Sequence, residues 1–449
     1  MFPVFVLLWS NVGIHPILIP SKEPKYMGNY LDNKNQPSPV DLDERFDMFS
    51  RNAHPVIGMA REFFKLEASG GVMLVVAAIL ALIVANTPLY ALYDFVLNDV
   101  NFTIGFMGPN DGGPFLDKSV LHWINDGLMA VFFFLVGLEI KREVMRGELA
   151  SRDKALLPII MAIGGVALPS SIYYALNMGE GGLPHGWAVP AATDIAFSLG
   201  ILALLGSRAP VSLKITLTAI AIIDDLMAIL IIAFFYSGGM ATTPLLVAGL
   251  AVLGLIALNQ KKVVSTAPYV LVGFVLWVAL LKSGMHPTIG GVLTAFAIPL
   301  SCPKRPWLTP VETLEHALHP WVSYMILPIF AFANAGVSFA GMGLHSFGEL
   351  VTLGIIAGLF LGKQLGIFLP LLLAVKAGWA KLPEGANWGQ VYGMSVLCGV
   401  GFTMSLFIGE LAFDDNSVQS SVRLGVLSGS LLSAVVGYLV IRFSVRKNS

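Results

Sequence analysis

Two adjacent carboxylates, Asp224 and Asp225, lie in the middle of Ala219-Ile-Ala-Ile-Ile-Asp-Asp-Leu-Met-Ala-Ile-Leu-Ile-Ile-Ala-Phe-Phe235. Crossing a bilayer takes about 20 largely apolar residues, and the run around this pair is long enough. An aspartate at the centre of such a helix costs about 2.5–3.5 kcal/mol on insertion scales, so two neighbours need compensation. The five residues upstream are all apolar, which rules out a solvated acidic loop. A buried structural pair, satisfied by neighbouring helices, is the plain alternative. Successive helical residues point about 100° apart, so the two carboxylates can take different partners. Held together in a low dielectric they resist being ionised at the same time. Such a pair holds a cation or protons, and exchanging one for the other is antiport in its simplest form. The ligands are hard oxygens, suited to a small alkali cation; calcium takes six to eight.

Other charges in apolar runs are few, and each is informative. Thr193 and Asp194 follow Pro190 in Trp187-Ala-Val-Pro-Ala-Ala-Thr-Asp-Ile-Ala-Phe-Ser198. Proline removes a backbone donor and clashes with the preceding turn, so a kink or break is expected just before Thr193. Gly399 and Gly401, in Cys398-Gly-Val-Gly-Phe-Thr-Met-Ser405, mark a second weak point; small residues for close helix packing are the ordinary reading there. Breaks of this kind are tolerated in a bilayer where the freed backbone groups line a cavity or bind something. Where two broken helices cross, their N-terminal ends carry partial positive charge and their C-terminal ends partial negative. Asp194 suits the positive meeting point. Lys363, in Gly362-Lys-Gln-Leu-Gly366, suits the negative one or a carboxylate, with Asp224, Asp225 and Asp194 as its available partners. Asp126, in His122-Trp-Ile-Asn-Asp126, reads as a structural partner or interfacial anchor.

These positions need helices to hold them, and the chain supplies helices. It has 449 residues, 56% hydrophobic and 12% charged, against about 25% charged in average soluble domains. The expected class is an all-α polytopic membrane protein. A net charge of −1 offers no basic field for nucleic acid. Cys302 and Cys398 fit neither a metal spacing nor a disulfide framework, and no nucleotide loop or cofactor motif is present. Apolar runs near 70–90, 119–140, 155–176, 187–206, 212–236, 243–260, 266–284, 287–301, 317–336, 350–375, 388–413 and 421–442 predict about twelve spans, the eighth short. Sixteen lysines and arginines fall in the loops and tail of one side, and only Lys118, Lys282 and Arg423 on the other. This bias predicts cytoplasmic N- and C-termini. The groups formed by spans 3–5 and 10–12 are then inverted repeats, with the two discontinuous helices crossing at mid-membrane.

Residues 1–65 differ from the rest. The segment is polar and proline-bearing, so it reads as a disordered extension or as a start assigned too early, with Met48 or Met59 as later starts. Residues 66–445 form the membrane domain. Val100–Met107 alternates loosely and Gly108-Pro-Asn-Asp-Gly-Gly-Pro114 has turn chemistry, which together predict a small extracytoplasmic β-hairpin. Its unpaired edge could join a second subunit.

Over about residues 65–445 the chain resembles the NhaA-type sodium/proton antiporters of bacterial inner membranes. The resemblance rests on Trp123-Ile-Asn-Asp126, Gly137-Leu-Glu-Ile-Lys-Arg-Glu143, Ala192-Thr-Asp-Ile-Ala-Phe197, Ile223-Asp-Asp-Leu226, Phe330-Ala-Phe-Ala-Asn-Ala-Gly336, Gly362-Lys363 and Gly399-Val-Gly-Phe-Thr-Met-Ser405. It implies that Asp225 is the main sodium or lithium ligand and proton carrier, with Asp224 as its partner, paired to Lys363 when the cation is absent. It implies that Asp194 compensates helix dipoles and that Thr193 lines the site. Glu139, Arg142, Glu143, Glu315 and His316 match a cytoplasmic cluster linked to pH response, and His286 an outer one. An imidazole, with its ordinary value near 6.5, is a natural sensor. Electrogenic, pH-regulated exchange of sodium or lithium for protons, a role in sodium and pH homeostasis, and a homodimer joined partly through the hairpin are further implications. The likeness is weakest in Ser301-Cys-Pro-Lys-Arg-Pro-Trp-Leu-Thr-Pro-Val-Glu-Thr313, which has a different charge pattern and more prolines, and this bears on the pH profile.

A sodium-coupled solute symporter on the same fold would need a polar substrate cavity. An intramembrane aspartyl protease would need two facing aspartates, typically on separate helices, sharing one proton; Asp224 and Asp225 are neighbours that diverge on one helix. A passive channel has no use for a lysine–carboxylate pair that alternates with an ion. The expected activity is transport, not enzymatic.

Overall fold

The computed structural model describes residues 69–104, 116–239, 241–301, 309–339 and 343–444. The N-terminal extension, the hairpin turn at Gly108–Pro114 and most of the proline-rich Ser301–Thr313 loop lie outside them.

Helix α1, Ser69–Ala85, stops ahead of Thr87-Pro88, where the residue before proline resists helical backbone. The chain turns through 116° into α2, Tyr90–Asp99. This shortens the first expected run, 70–90. Asn86 holds the bend: its amide donates to the carbonyls of Leu82 and Val337, and its oxygen accepts from the Phe339 amide.

The expected hairpin is present. Strand β1, Asn101–Ile104, pairs antiparallel with β2, Leu116–Ser119, in the register Phe102↔Lys118. It is anchored to α3, Val120–Arg146, because the Trp123 indole donates to the Phe102 carbonyl at 2.9 Å. Next come α4, Arg152–Asn177, and a tight 3₁₀ segment, Pro184–Ala191. Then follow α5, Ile195–Leu204, and α6, Val211–Phe235, which starts directly after Pro210. Helices α7, Thr242–Gln260, and α8, Ala267–Ser283, come next. The latter closes on Gly284 at φ 84°, a left-handed position that glycine adopts without strain. They are followed by α9, Thr288–Ala297, and α10, 310–334. Helix α11 is Leu350–Lys376, α12 Trp388–Leu397, α13 Phe402–Ala412 and α14 Asn416–Ser444. A capping box opens α12, where Asn387 and Gln390 exchange side-chain-to-backbone hydrogen bonds at 2.9 Å.

Each of the twelve apolar runs contains a helix or a broken helix. Among the described residues, eight helices are long and apolar enough to cross a bilayer, or nine with the bent α1–α2 pair. Helices α8 and α9 are apolar but have only 17 and 10 residues. On α7, Leu246, Leu250 and Leu253 are more than 60% exposed and lie three or four positions apart, forming one apolar stripe. An unpartnered stripe of this kind suits lipid rather than water. The protein is a polytopic membrane protein built almost wholly of helices.

Its main apolar core runs through α1, α3, α4, α6 and α10–α14 around both helix breaks. A smaller cluster joins α7, α8 and α9 to Leu138 of α3.

Candidate functional site

The two weak points in the sequence are breaks, and the structure joins them. After Pro190 the chain is extended at Ala192 (ψ 153°) and Asp194 (ψ 103°) before α5 begins. Between α12 and α13 the residues Cys398–Gly401 leave the helix. The Asp194 amide donates to the Val400 carbonyl at 2.7 Å, the Thr193 hydroxyl to the Cys398 carbonyl at 2.9 Å, and the Ser198 hydroxyl to the Leu397 carbonyl at 3.1 Å. Carbonyls left free at the end of α12 are thereby satisfied by donors from the other break.

Asp194 serves the opposite need. One carboxylate oxygen accepts from the Phe197 amide at 2.9 Å, capping α5. The other accepts from the Thr403 amide at 3.1 Å and the Thr403 hydroxyl at 2.5 Å, capping α13. Two helix N-termini, each with partial positive charge, meet at one anion.

Asp224 and Asp225 project from the middle of α6, each 1% exposed, and Lys363 of α11 is fully buried. The lysine Nζ lies 2.6 Å from an Asp224 oxygen. Thr193 flanks the same carboxylate. Neither oxygen of Asp225 has a hydrogen-bond partner. The charged groups around it are Asp224, Asp194, Glu139 and Lys363, so three carboxylates surround it and the one lysine is already engaged. Transfer of an isolated ionised carboxylate into an apolar interior is too costly to persist, so Asp225 calls for a proton or a cation. Among the described residues, no three carboxylate, imidazole or thiol groups converge as a ready-made metal cage.

The residues expected to respond to pH fall in two places. Towards the C-terminal end of α3, Arg142 bonds the Glu315 carboxylate at 2.8 and 3.1 Å and Glu143 at 2.6 Å. Arg146 pairs with Glu312 at 3.2 Å. A pocket of about 420 Å³ opens there, lined by Arg142, Arg146, Glu312, Glu315 and His316. Glu139 lies one turn further in, on the way to Asp225. His286 is elsewhere: its Nε2 lies 4.0 Å from Asp126, near the other end of α3, and its ring meets Phe407 edge-on. From Asp126 to Glu139 is about 20 Å along a helix axis.

Sequence reasoning missed several members. Thr403 was legible only as part of a glycine-rich motif; its capping bond to Asp194 depends on the breaks meeting. Glu410 and Arg423, paired at 2.8 Å between α13 and α14, lie close to the end of an apolar run. Lys141, which donates to the Phe296 and Ile298 carbonyls at the end of α9, reads in sequence as a plain loop charge.

The sequence matches the profile of a family described as Na+/H+ antiporter 1 over residues 61–441. It is 54% identical over 393 residues to the Na(+)/H(+) antiporter NhaA of Rhodospirillum rubrum, covering 86% of this chain and 97% of that protein. The Proteus mirabilis Na(+)/H(+) antiporter NhaA is 53% identical over 383 residues, covering 85% and 96%. Na(+)/H(+) antiporter NhaA 3 of Saccharophagus degradans is 50% identical over 406 residues, covering 89% and 100%.

Proposed function

The chain belongs to the NhaA-type Na+/H+ antiporter family, and from that premise we propose that it exchanges Na+ or Li+ for protons across a bacterial inner membrane. The observation that carries this reading is Asp225: a buried carboxylate with two unpartnered oxygens among three further acidic groups. It carries a proton in one phase of the cycle and a cation in the other. Asp224 alternates between Lys363 and that cation, so the site is never left with an uncompensated charge. Thr193 helps line the site, and Asp194 holds the two breaks together without itself being carried through the cycle.

In this reading the chain crosses the membrane twelve times, with α8, α9 and α10 as the shorter or more polar crossings. Both termini are cytoplasmic, as the lysine and arginine bias supports. The breaks belong to inverted repeats formed by spans 3–5 and 10–12. Exchange is electrogenic, moving more than one proton per cation, so a group besides Asp225 also gives up a proton. The Arg142 cluster and His286 tune it to pH, and two copies pair partly along the β1–β2 edge. Its role is sodium and pH homeostasis.

The test is proton movement in inside-out vesicles on adding Na+ or Li+, across a range of pH. Cation-dependent proton release that collapses in Asp225→Asn is expected. Equal exchange in that variant would remove Asp225 from the role.

A further inference from the structure

Lys363 directly follows an irregular stretch of helix. Residues Gly358–Gly362 form a π-turn inside α11, and the amide of Lys363 closes it by donating to the Gly358 carbonyl. A π-turn holds one residue more than a helical turn, so everything after it is rotated by about 100° relative to an uninterrupted helix. Without the turn, Lys363 would point well away from Asp224.

The turn is wedged between both breaks. A methyl group at Gly358 would lie 2.6 Å from Cβ of Pro190, and one at Gly362 would lie 2.6 Å from Cα of Pro169. Across the second break, a methyl at Gly401 would lie 2.8 Å from the Leu359 side chain, and one at Gly399 would overlap the Leu359 carbonyl oxygen. Two side chains pin the turn from its C-terminal side. The Gln364 amide donates to the Phe360 carbonyl at 2.6 Å, inside the turn. The oxygen of the same Gln364 accepts from the Tyr392 hydroxyl of α12, also at 2.6 Å. Gln364 is only 5% exposed, so these bonds face little competition from water. The Tyr392 ring is fixed separately by an edge-on contact with Phe368 at 5.2 Å.

We propose that Gln364 and Tyr392 are positioning residues, which hold the π-turn 358–362 in the register that presents Lys363 to Asp224 and tie that register to the inner half of the second broken helix. The inference rests on the proposed exchange cycle, in which lysine and cation compete for Asp224. A lysine held out of line competes less well, so the cation wins at lower concentration and lower pH.

The experiment is Li+/H+ exchange in inside-out vesicles for the parent protein, Tyr392→Phe and Gln364→Met, with thermal unfolding of each in detergent. Tyr392→Phe keeps the ring packing and loses one hydrogen bond; Gln364→Met keeps the volume and loses both. The expected result is an apparent KM for Li+ lowered about two- to tenfold at the acid end of the active range, more in Gln364→Met, as the loss of one or two such bonds implies. The pH of half-maximal exchange moves to the acid side, and the maximal rate stays within about twofold of the parent, since the bonds position rather than carry the ion. An unchanged or raised KM, or a loss of maximal rate or stability alone, overturns the proposal. Absence of exchange in the parent protein would overturn the proposed function instead.

Discussion

Asp194 and Thr403 are 209 positions apart, yet one carboxylate oxygen of the first accepts both the amide and the hydroxyl of the second. The bond crosses from one broken helix to the other and lets a single anion answer two helix N-termini. The N-cap residue of α13, Gly401, has no side chain to do this work.

Thr403→Val keeps the shape and the amide bond but removes the hydroxyl. A hydrogen bond to a charged group is worth about 1.5–3 kcal/mol, so the variant should unfold at a clearly lower temperature in detergent, while Thr403→Ser stays close to the parent. Equal unfolding temperatures for the valine and serine variants would mean that the amide bond alone holds the breaks together.

Much of this site was legible before the fold was known, and for identifiable reasons. Asp224, Asp225, Asp194 and Lys363 stand out because charge in an apolar run is costly wherever the helix is placed. Pro190 announces a break because the penalty is local, one missing donor and one clash. Thr403 is different: nothing in Gly401-Phe-Thr-Met-Ser405 says that an aspartate two hundred positions away supplies the cap. The π-turn before Lys363 is equally silent, since an i→i+5 turn has no composition of its own and Gly358-Leu-Phe-Leu-Gly362 reads as ordinary close packing. The turn at Asn86 hides for the same reason, because its stabilising bonds come from Val337 and Phe339.

For Asp225 the expected outcomes for transport and stability run in opposite directions. Asp225→Asn should abolish cation-driven proton movement, because the amide can neither give up a proton nor balance a cation. Its unfolding temperature should hold or rise, because a buried carboxylate without hydrogen bonds is replaced by a neutral group. A variant that loses transport by unfolding would show both falling together.

Lys363→Ala should destabilise the protein by about 3–5 kcal/mol, the usual effect of stranding one member of a buried ion pair. The second substitution Asp224→Asn, made on top of it, should recover most of that loss by removing the stranded charge, leaving the cavity of the missing lysine stem. Thermal unfolding of the single and double variants measures this directly. A double variant no more stable than Lys363→Ala would show that the stem's packing, and not the 2.6 Å ion pair, is what Lys363 contributes.

At the rim, Arg142 is one-third exposed while its partner Glu315 is nearly buried. Glu139, Glu143 and Glu315 all lie in its field. Arg142→Gln should cost some stability, because the nearly buried Glu315 loses a two-pronged partner, though water screening of the guanidinium keeps the loss below that of a fully buried pair. The pH profile should respond more visibly. Removing the guanidinium leaves this rim more negative and raises the local proton concentration, so any step triggered by proton loss there requires a higher bulk pH. Half-maximal exchange should move to the alkaline side by about half a unit to one unit, the displacement that a partly screened charge of this size can produce. Proton-release traces taken at closely spaced pH values would measure it. A midpoint that stays put, or moves acid, would separate this cluster from pH control and leave the His286–Asp126 pair, at the other end of α3, as the place to look.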